Sequence, residues 1–168
     1  GALFIKTGKL NSTEVRKRIK EADAEIACSI NYAGIIPQNV IDLFQHGILN
    51  AHGGDLPRYR GNACQAWAIL NGEKKIGLCV YKMIGDYLDG GKLICKEYLD
   101  IDITTTVTQT WQWMTNRVPI LFLTAVNILK NKPAFYIENT IESSVKSMRC
   151  YPRNPGDAKI TWSKSNLE

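Results

Sequence analysis

Long apolar runs, paired cysteines and histidine clusters are all missing from this sequence. The longest apolar stretch, Val118 to Leu129, covers 12 positions and is interrupted by Thr124 and Asn127. A membrane-spanning helix needs roughly 20, so no part of the chain is expected to cross a bilayer. No apolar run that would serve as a signal peptide precedes Lys6, and the expectation is a soluble, cytoplasmic protein. His46 and His52 are the only histidines, and the five cysteines (Cys28, Cys64, Cys79, Cys95, Cys150) form no C-x-x-C pair. An odd, scattered set of thiols argues against zinc fingers and disulfide scaffolds, and no metal is expected. Cys28, Cys79 and Cys95 lie in apolar runs and read as small core residues in a reducing compartment. Internal repeats and low-complexity tracts are also absent.

What is present fits one ordinary domain. The 168 residues suit a single domain spanning 1–168, and 45% hydrophobic with 22% charged residues excludes a disordered chain. The net charge of +5 is confined to residues 1–20, where Lys6, Lys9, Arg16, Lys17, Arg18 and Lys20 face Glu14 alone; the remainder is balanced. Such a segment reads first as a solvated helix face and second as a phosphate contact. Without a nucleic-acid module or aromatic-basic interleaving, nucleic acid is not the expected partner.

Asn11 with Glu14 resembles a capping box opening a helix over 12–22. Ala24 to Ile30 reads as a buried strand, and Pro37 as the start of a helix with Val40, Ile41 and Phe44 inside and Gly47 beyond its end. Gly47 to His52 follows as a strand, so an α/β layered sheet, parallel in this part, is expected. A helix over Asn62 to Leu70, strands over Ile76–Met83 and Lys92–Asp100, and a helical rhythm over Thr104–Lys130 come next, with Pro119 dividing or kinking the last. The tail from Cys150, with Pro152 and Pro155, reads as extended or coiled. The chain thus has a core motif at 47–100, a helical segment at 103–131 and a C-terminal extended segment at 148–168.

The chemistry concentrates at Asn50 and His52. Two residues apart on a strand, they share a face and stand roughly 7 Å apart at about 3.3 Å per residue. They end an apparently parallel strand, where open α/β sheets place their ligands. An Asn amide can donate to a developing oxyanion, and a His can move a proton near neutral pH. Taken alone, the pair also fits a structural histidine at a strand end.

The wider pattern is more specific. Asn50-Ala51-His52, Leu56-Pro57-Arg58-Tyr59-Arg60-Gly61, Trp67-Ala68-Ile69-Leu70-Asn71-Gly72 and Leu88-Asp89-Gly90-Gly91 occur in this order. The run closely resembles the 10-formyltetrahydrofolate-dependent formyltransferase family, with weaker likeness over Ile26–Val40 and in Tyr151-Pro152-Arg153, Asp157, Ile160 and Trp162. The resemblance implies a Rossmann-like formyltransferase fold and a formyltransferase using N10-formyltetrahydrofolate as co-substrate. It makes Asn50, His52 and Asp89 the catalytic residues, with Asp86 as the rival acid. By the same analogy Tyr32, Gly34, Ile35, Ile36, Met83, Gly85 and Leu88 would contact the folate, and Arg58, Tyr59, Arg60 and Asn62 the acceptor or its loop. Trp67 reads as helix packing.

Gly53-Gly54-Asp55-Leu56-Pro57 stands where the family commonly has Pro-Ser-Leu-Leu-Pro, and the version here resembles the branch acting on nucleotide-linked amino sugars. That makes a sugar N-formyltransferase the first expectation, with methionyl-tRNA formyltransferase or formyltetrahydrofolate hydrolase as alternatives. Family domains ordinarily carry strand-helix units ahead of the counterpart of Ala24, whereas 23 residues precede it here. The fold is therefore expected to lack those units and to expose a sheet edge that invites a homo-oligomer. A truncated, non-catalytic interaction module is the alternative of another class.

Overall fold

Alternating apolar residues at 48–52 and 75–100 build the centre of the molecule. The computed structural model describes residues 4–159. In chain order its elements are α1 (Thr13–Glu21), β1 (Ala27–Ile30), α2 (Gln38–Ile41), β2 (Ile48–His52), β3 (Tyr59–Gly61), α3 (Cys64–Leu70), β4 (Lys75–Met83), β5 (Gly91–Asp100), α4 (Val107–Asn131), β6 (Glu138–Asn139), β7 (Met148–Cys150) and a 3-10 turn at Pro155–Ala158.

The main sheet runs β1-β2-β4-β5-β6, and β3 pairs with β7 in a small second sheet. β1 and β2 are parallel, as the strand-helix-strand alternation predicts. From β2 onward the sheet is antiparallel, because β4 and β5 form a hairpin whose first strand adds beside β2. Each strand sends alternate residues to opposite faces. Leu49, Ala51, Leu78, Val80 and Ile94 pack against Met114, Val118, Leu121 and Ala125 of α4. On the other face, Ile48 joins Ile36, Val40 and Ile41, while Leu56 covers Cys79, Tyr81 and Leu93.

Several local expectations shift. Ser12, not Asn11, caps α1, because Ser12 holds the extended backbone and its hydroxyl accepts from the Val15 N–H. α2 is a single turn, and Gly47 follows in the left-handed region at φ 74. Pro119 neither divides nor ends α4, which runs 25 residues from a Thr106–Gln109 capping box. The carbonyl it orphans belongs to Thr115, an exposed residue of the helix, so the lost hydrogen bond falls on the solvent side and not in the core. Leading into the tail, Met148–Cys150 pairs in parallel with Tyr59–Gly61, and Asn154 then caps the 3-10 turn. Arg153 pairs with Asp157 at 3.5 Å; Ile160 and Trp162 lie outside the described residues.

Cys28 departs from its expected core position. β1 forms one edge of the sheet among the described residues, and Cys28 and Ile30 are exposed there. Cys64, Cys79 and Cys150 are buried and Cys95 is half-buried. Burial pushes the Cys79 thiol up to about 12 and that of Cys95 up to about 11. No helix among the described residues is long and apolar enough to cross a membrane.

Two outcomes follow from this packing. Leu49→Ala, which empties a fully buried position against α4, should cost about 2–5 kcal/mol of stability, read as a lowered denaturant midpoint. A chromogenic disulfide reagent at pH 8 should titrate the Cys28 thiol of the folded chain quickly and the other thiols only on denaturation. Rapid reaction of Cys64 or Cys79 would contradict the described core.

Candidate active site

Three elements converge on one cavity of about 630 Å³. β2 supplies Asn50 and His52 from the face opposite α4. Register places Tyr81 directly across from Asn50 and Cys79 across from His52, so these cross-strand neighbours share that face. The β4–β5 loop brings Asp89 back over the strand ends with a left-handed backbone (φ 46), a conformation open to aspartate more than to most residues. Asn50, His52 and Asp89 all line the cavity.

The hydrogen bonds constrain the atoms. His52 Nε2 lies 2.8 Å from the Tyr59 carbonyl, which only accepts, so Nε2 carries a proton. The other nitrogen, Nδ1, stands 3.5 Å from Asp89 Oδ1. Asp89 Oδ2 accepts from the Gly61 N–H at 2.7 Å, and Oδ1 accepts from the Tyr81 hydroxyl at 3.1 Å. That hydroxyl in turn accepts from Asn50 Nδ2 at 3.3 Å. Burial first, then the Asp89 carboxylate, holds the Tyr81 phenol well above the ordinary tyrosine range. Cys64 Sγ lies 3.7 Å from His52 Nε2, and burial keeps its thiol well above the usual range too.

Of the other sequence candidates, Tyr32, Gly34, Ile35, Met83, Leu88 and Asn62 line the same cavity. Ile36 does not; it is 4% exposed and packs with Val40, Ile41 and Ile48. Gly85 is packed against Gln38, whose side-chain oxygen accepts from the Gly85 N–H at 2.7 Å. Arg58 forms a two-armed pair with Glu73 outside the cavity. The Tyr59 hydroxyl donates to Glu73 as well, and burial pushes that phenol up to about 12.

Arg60 is a clamp within the protein. Its guanidinium donates to the carbonyls of Pro57, Leu88, Asp89 and Thr140, tying the loop after β2 to the segment carrying Asp89. Asp86, the rival acid, is exposed and outside the cavity lining. The Trp67 indole, on α3, donates to the Tyr151 carbonyl at 2.8 Å and packs against the cluster of Tyr59, Ile76, Ile101 and Cys150.

Sequence reasoning missed Tyr81 and Thr140. Tyr81 sits in an apolar strand run, where a tyrosine looks like core. Thr140 is 1% exposed and bonds both the Asp89 carbonyl and the Gly91 N–H, but no local motif marks it. Trp111, on α4, is 46% exposed and lines the cavity with Gln65 and Arg149. No cluster of three or more His, Cys, Asp or Glu suited to a metal occurs among the described residues.

The family model described as "Formyl transferase" matches residues 5–126. A methionyl-tRNA formyltransferase from Alkaliphilus oremlandii is 29% identical over 161 residues, covering 95% of this chain and 50% of that protein. The chain thus spans about half the length of the curated relatives it matches. Among solved structures, methionyl-tRNA formyltransferase from Clostridium thermocellum superposes with a TM-score of 0.70 at 19% identity, covering 97% of this chain and 65% of that one. The formyltransferase PseJ from Anoxybacillus kamchatkensis, solved with UDP-4,6-dideoxy-4-formamido-L-AltNAc and tetrahydrofolate, gives 0.62 at 19%, covering 89% and 71%. The α/β architecture is the Rossmann-like fold of these structures.

Gly54 tests the geometry around His52. A Cβ there would fall 2.5 Å from His52 Nε2 and 2.8 Å from the Tyr59 carbonyl. Gly54→Ala should therefore break the His52–Tyr59 bond and cost about 1–3 kcal/mol. The measurement is the melting temperature together with the imidazole nitrogen chemical shifts, and unchanged shifts would contradict the described contact.

Proposed function

Because the chain belongs to the formyl transferase family, we propose that it moves a formyl group from N10-formyltetrahydrofolate to an amine at the cavity holding Asn50, His52 and Asp89. The carrying observation is the convergence of an amide, an imidazole and a carboxylate, with His52 Nδ1 3.5 Å from Asp89 Oδ1. The acceptor nitrogen attacks the formyl carbon, and negative charge grows on the formyl oxygen, where the Asn50 amide donates. As the bond from the formyl carbon to N10 breaks, the new C–N bond is complete. The proton shed by the attacking nitrogen passes to N10 through His52 Nδ1, the nitrogen left available by the Tyr59 contact. Asp89 orients the ring and faces the proton it carries. Tyr32, Gly34, Ile35, Met83 and Leu88 form the walls offered to the folate.

For the acceptor, the sequence relatives support methionyl-tRNA, since relatives matched over 95% and 98% of this chain carry that activity in their names. The basic segment around α1 fits a polyanionic acceptor. A nucleotide-linked amino sugar is the second reading; Gly54-Asp55-Leu56-Pro57-Arg58-Tyr59-Arg60-Gly61-Asn62 favours it, and PseJ, with its UDP-sugar, is similar in fold. Asn62 is the acceptor-side residue of that segment that lines the cavity.

The test is consumption of N10-formyltetrahydrofolate by the purified chain with methionyl-tRNA or with a panel of nucleotide-linked amino sugars. Acceptor-dependent turnover should fall at least about 100-fold in His52→Ala and about 100- to 1,000-fold in Asn50→Ala. Consumption without acceptor would mean a hydrolase. A folded chain that neither consumes nor binds the formylfolate would move the reading to a non-catalytic interaction module.

A further inference from the structure

Tyr81 is 1% exposed, yet its hydroxyl sits between two of the three side chains assigned to formyl transfer. An ionised carboxylate accepts hydrogen bonds and donates none. Asp89 Oδ2 is already met by the Gly61 N–H, so the contact of Oδ1 with Tyr81 must use the phenol's own proton. A phenol has one proton, and once it is given to Asp89 the oxygen can only accept. The group facing it on Asn50 must then be Nδ2–H and not the amide carbonyl, which fixes the orientation of the amide. The second N–H has a long 3.4 Å contact with the Ala51 carbonyl and is available to an incoming oxygen.

We propose that Tyr81 is a positioning residue: its phenol transmits the acceptor-only character of Asp89 to Asn50, so that the amide presents N–H and not C=O at the place where a formyl oxygen would become charged. The cross-strand register Asn50↔Tyr81 sets the two side chains together, and Leu56, Cys79 and Leu93 hold the ring from its other sides. High burial and the adjacent carboxylate keep the phenol neutral, as the role requires. A purely structural tyrosine would leave Asn50 indifferent to what stands at position 89. The kinetic consequence rests on the formyl-transfer reading; the orientation of the amide does not.

The test uses the full chain, labelled with 15N, and Tyr81→Phe, which keeps the ring and its packing. The Asn50 side-chain amide signals are identified by their loss in Asn50→Ser. Asp89→Asn should shift the Asn50 amide signals when Tyr81 is present and leave them unmoved in the Tyr81→Phe background. Tyr81→Phe alone should speed hydrogen exchange of the Asn50 amide. In turnover it should lower kcat by about 10- to 100-fold, the scale of a mispositioned reacting group, with KM for N10-formyltetrahydrofolate changed less than about twofold. Equal response of Asn50 to Asp89→Asn with and without the phenol would overturn the proposal, as would an unchanged kcat. Absence of turnover in the unsubstituted chain would overturn the formyl-transfer reading instead, and the amide cycle would still decide the part played by Tyr81.

Discussion

A carboxylate taken largely out of water must be met by donors, and the site is arranged around that demand at Asp89. Its side chain is 11% exposed. The donors come from two strands that are distant in sequence, the Gly61 N–H at the end of β3 and the Tyr81 hydroxyl in the middle of β4, while His52 Nδ1 at the end of β2 faces the same carboxylate at 3.5 Å. Leaving such a group unmet costs about 1–3 kcal/mol or more, so β3 and β4 are held in one arrangement around Asp89 as long as it stays buried. Each of these three groups is itself constrained in turn. Gly61 has φ 98 and lies where a Cβ would strike the Cys150 carbonyl; His52 is anchored by Tyr59; Tyr81 is anchored by the sheet.

The Leu-Pro-Arg-Tyr-Arg-Gly segment serves that same arrangement. Arg60 bonds the Pro57 carbonyl of its own loop and the Leu88 and Asp89 carbonyls of the β4–β5 loop, and Thr140 reinforces the one belonging to Asp89. Arg58 and Tyr59 close on Glu73 behind it, and Asp55 holds Lys96 and Tyr98 on the neighbouring strand. A five-donor guanidinium suits such a clamp because its fork reaches several carbonyls at once. The basic residues of the motif therefore bind groups of the protein itself, Arg58 the Glu73 carboxylate and Arg60 the carbonyls of Pro57, Leu88, Asp89 and Thr140, and the tyrosine carbonyl, not its hydroxyl, reaches the proposed reacting centre.

The sequence made β1, β2, β4, β5, the helices and the convergence of Asn50, His52 and Asp89 legible, the elements from periodicity and the convergence from motif order, but not the short strands β3, β6 and β7. Local signals failed wherever the answer depended on a partner far along the chain. Pro119 looked like a break because its exposed side could not be seen from the sequence. Arg58, Tyr59 and Arg60 looked like ligand residues because Glu73, Leu88 and Thr140 are distant in the chain. Tyr81 looked like core because a tyrosine in an apolar strand gives no sign of which groups its hydroxyl will meet. Cys28 looked buried because the apolar Ile26-Ala27 pair before it says nothing about whether a strand lies beside it.

The cavity also separates two problems that one motif cannot settle together. The Asn50–Tyr81–Asp89–His52 chain is built from β2, β4 and the loop after it, all within the stretch matched by the family model. Asn62 and Gln65 at the start of α3, Trp111 on α4 and Arg149 on β7 line the remaining wall, and they come from elements that make no hydrogen bond to Asn50 or Asp89 in this structure. A change at Trp111 or Arg149 alters the shape and charge of the opening without disturbing the buried carboxylate or its donors. The fold thus permits acceptor recognition to vary while the proposed reacting groups stay in place, and the solved structures similar to this chain, one named for methionyl-tRNA and another holding a UDP-sugar, share its architecture while differing in acceptor.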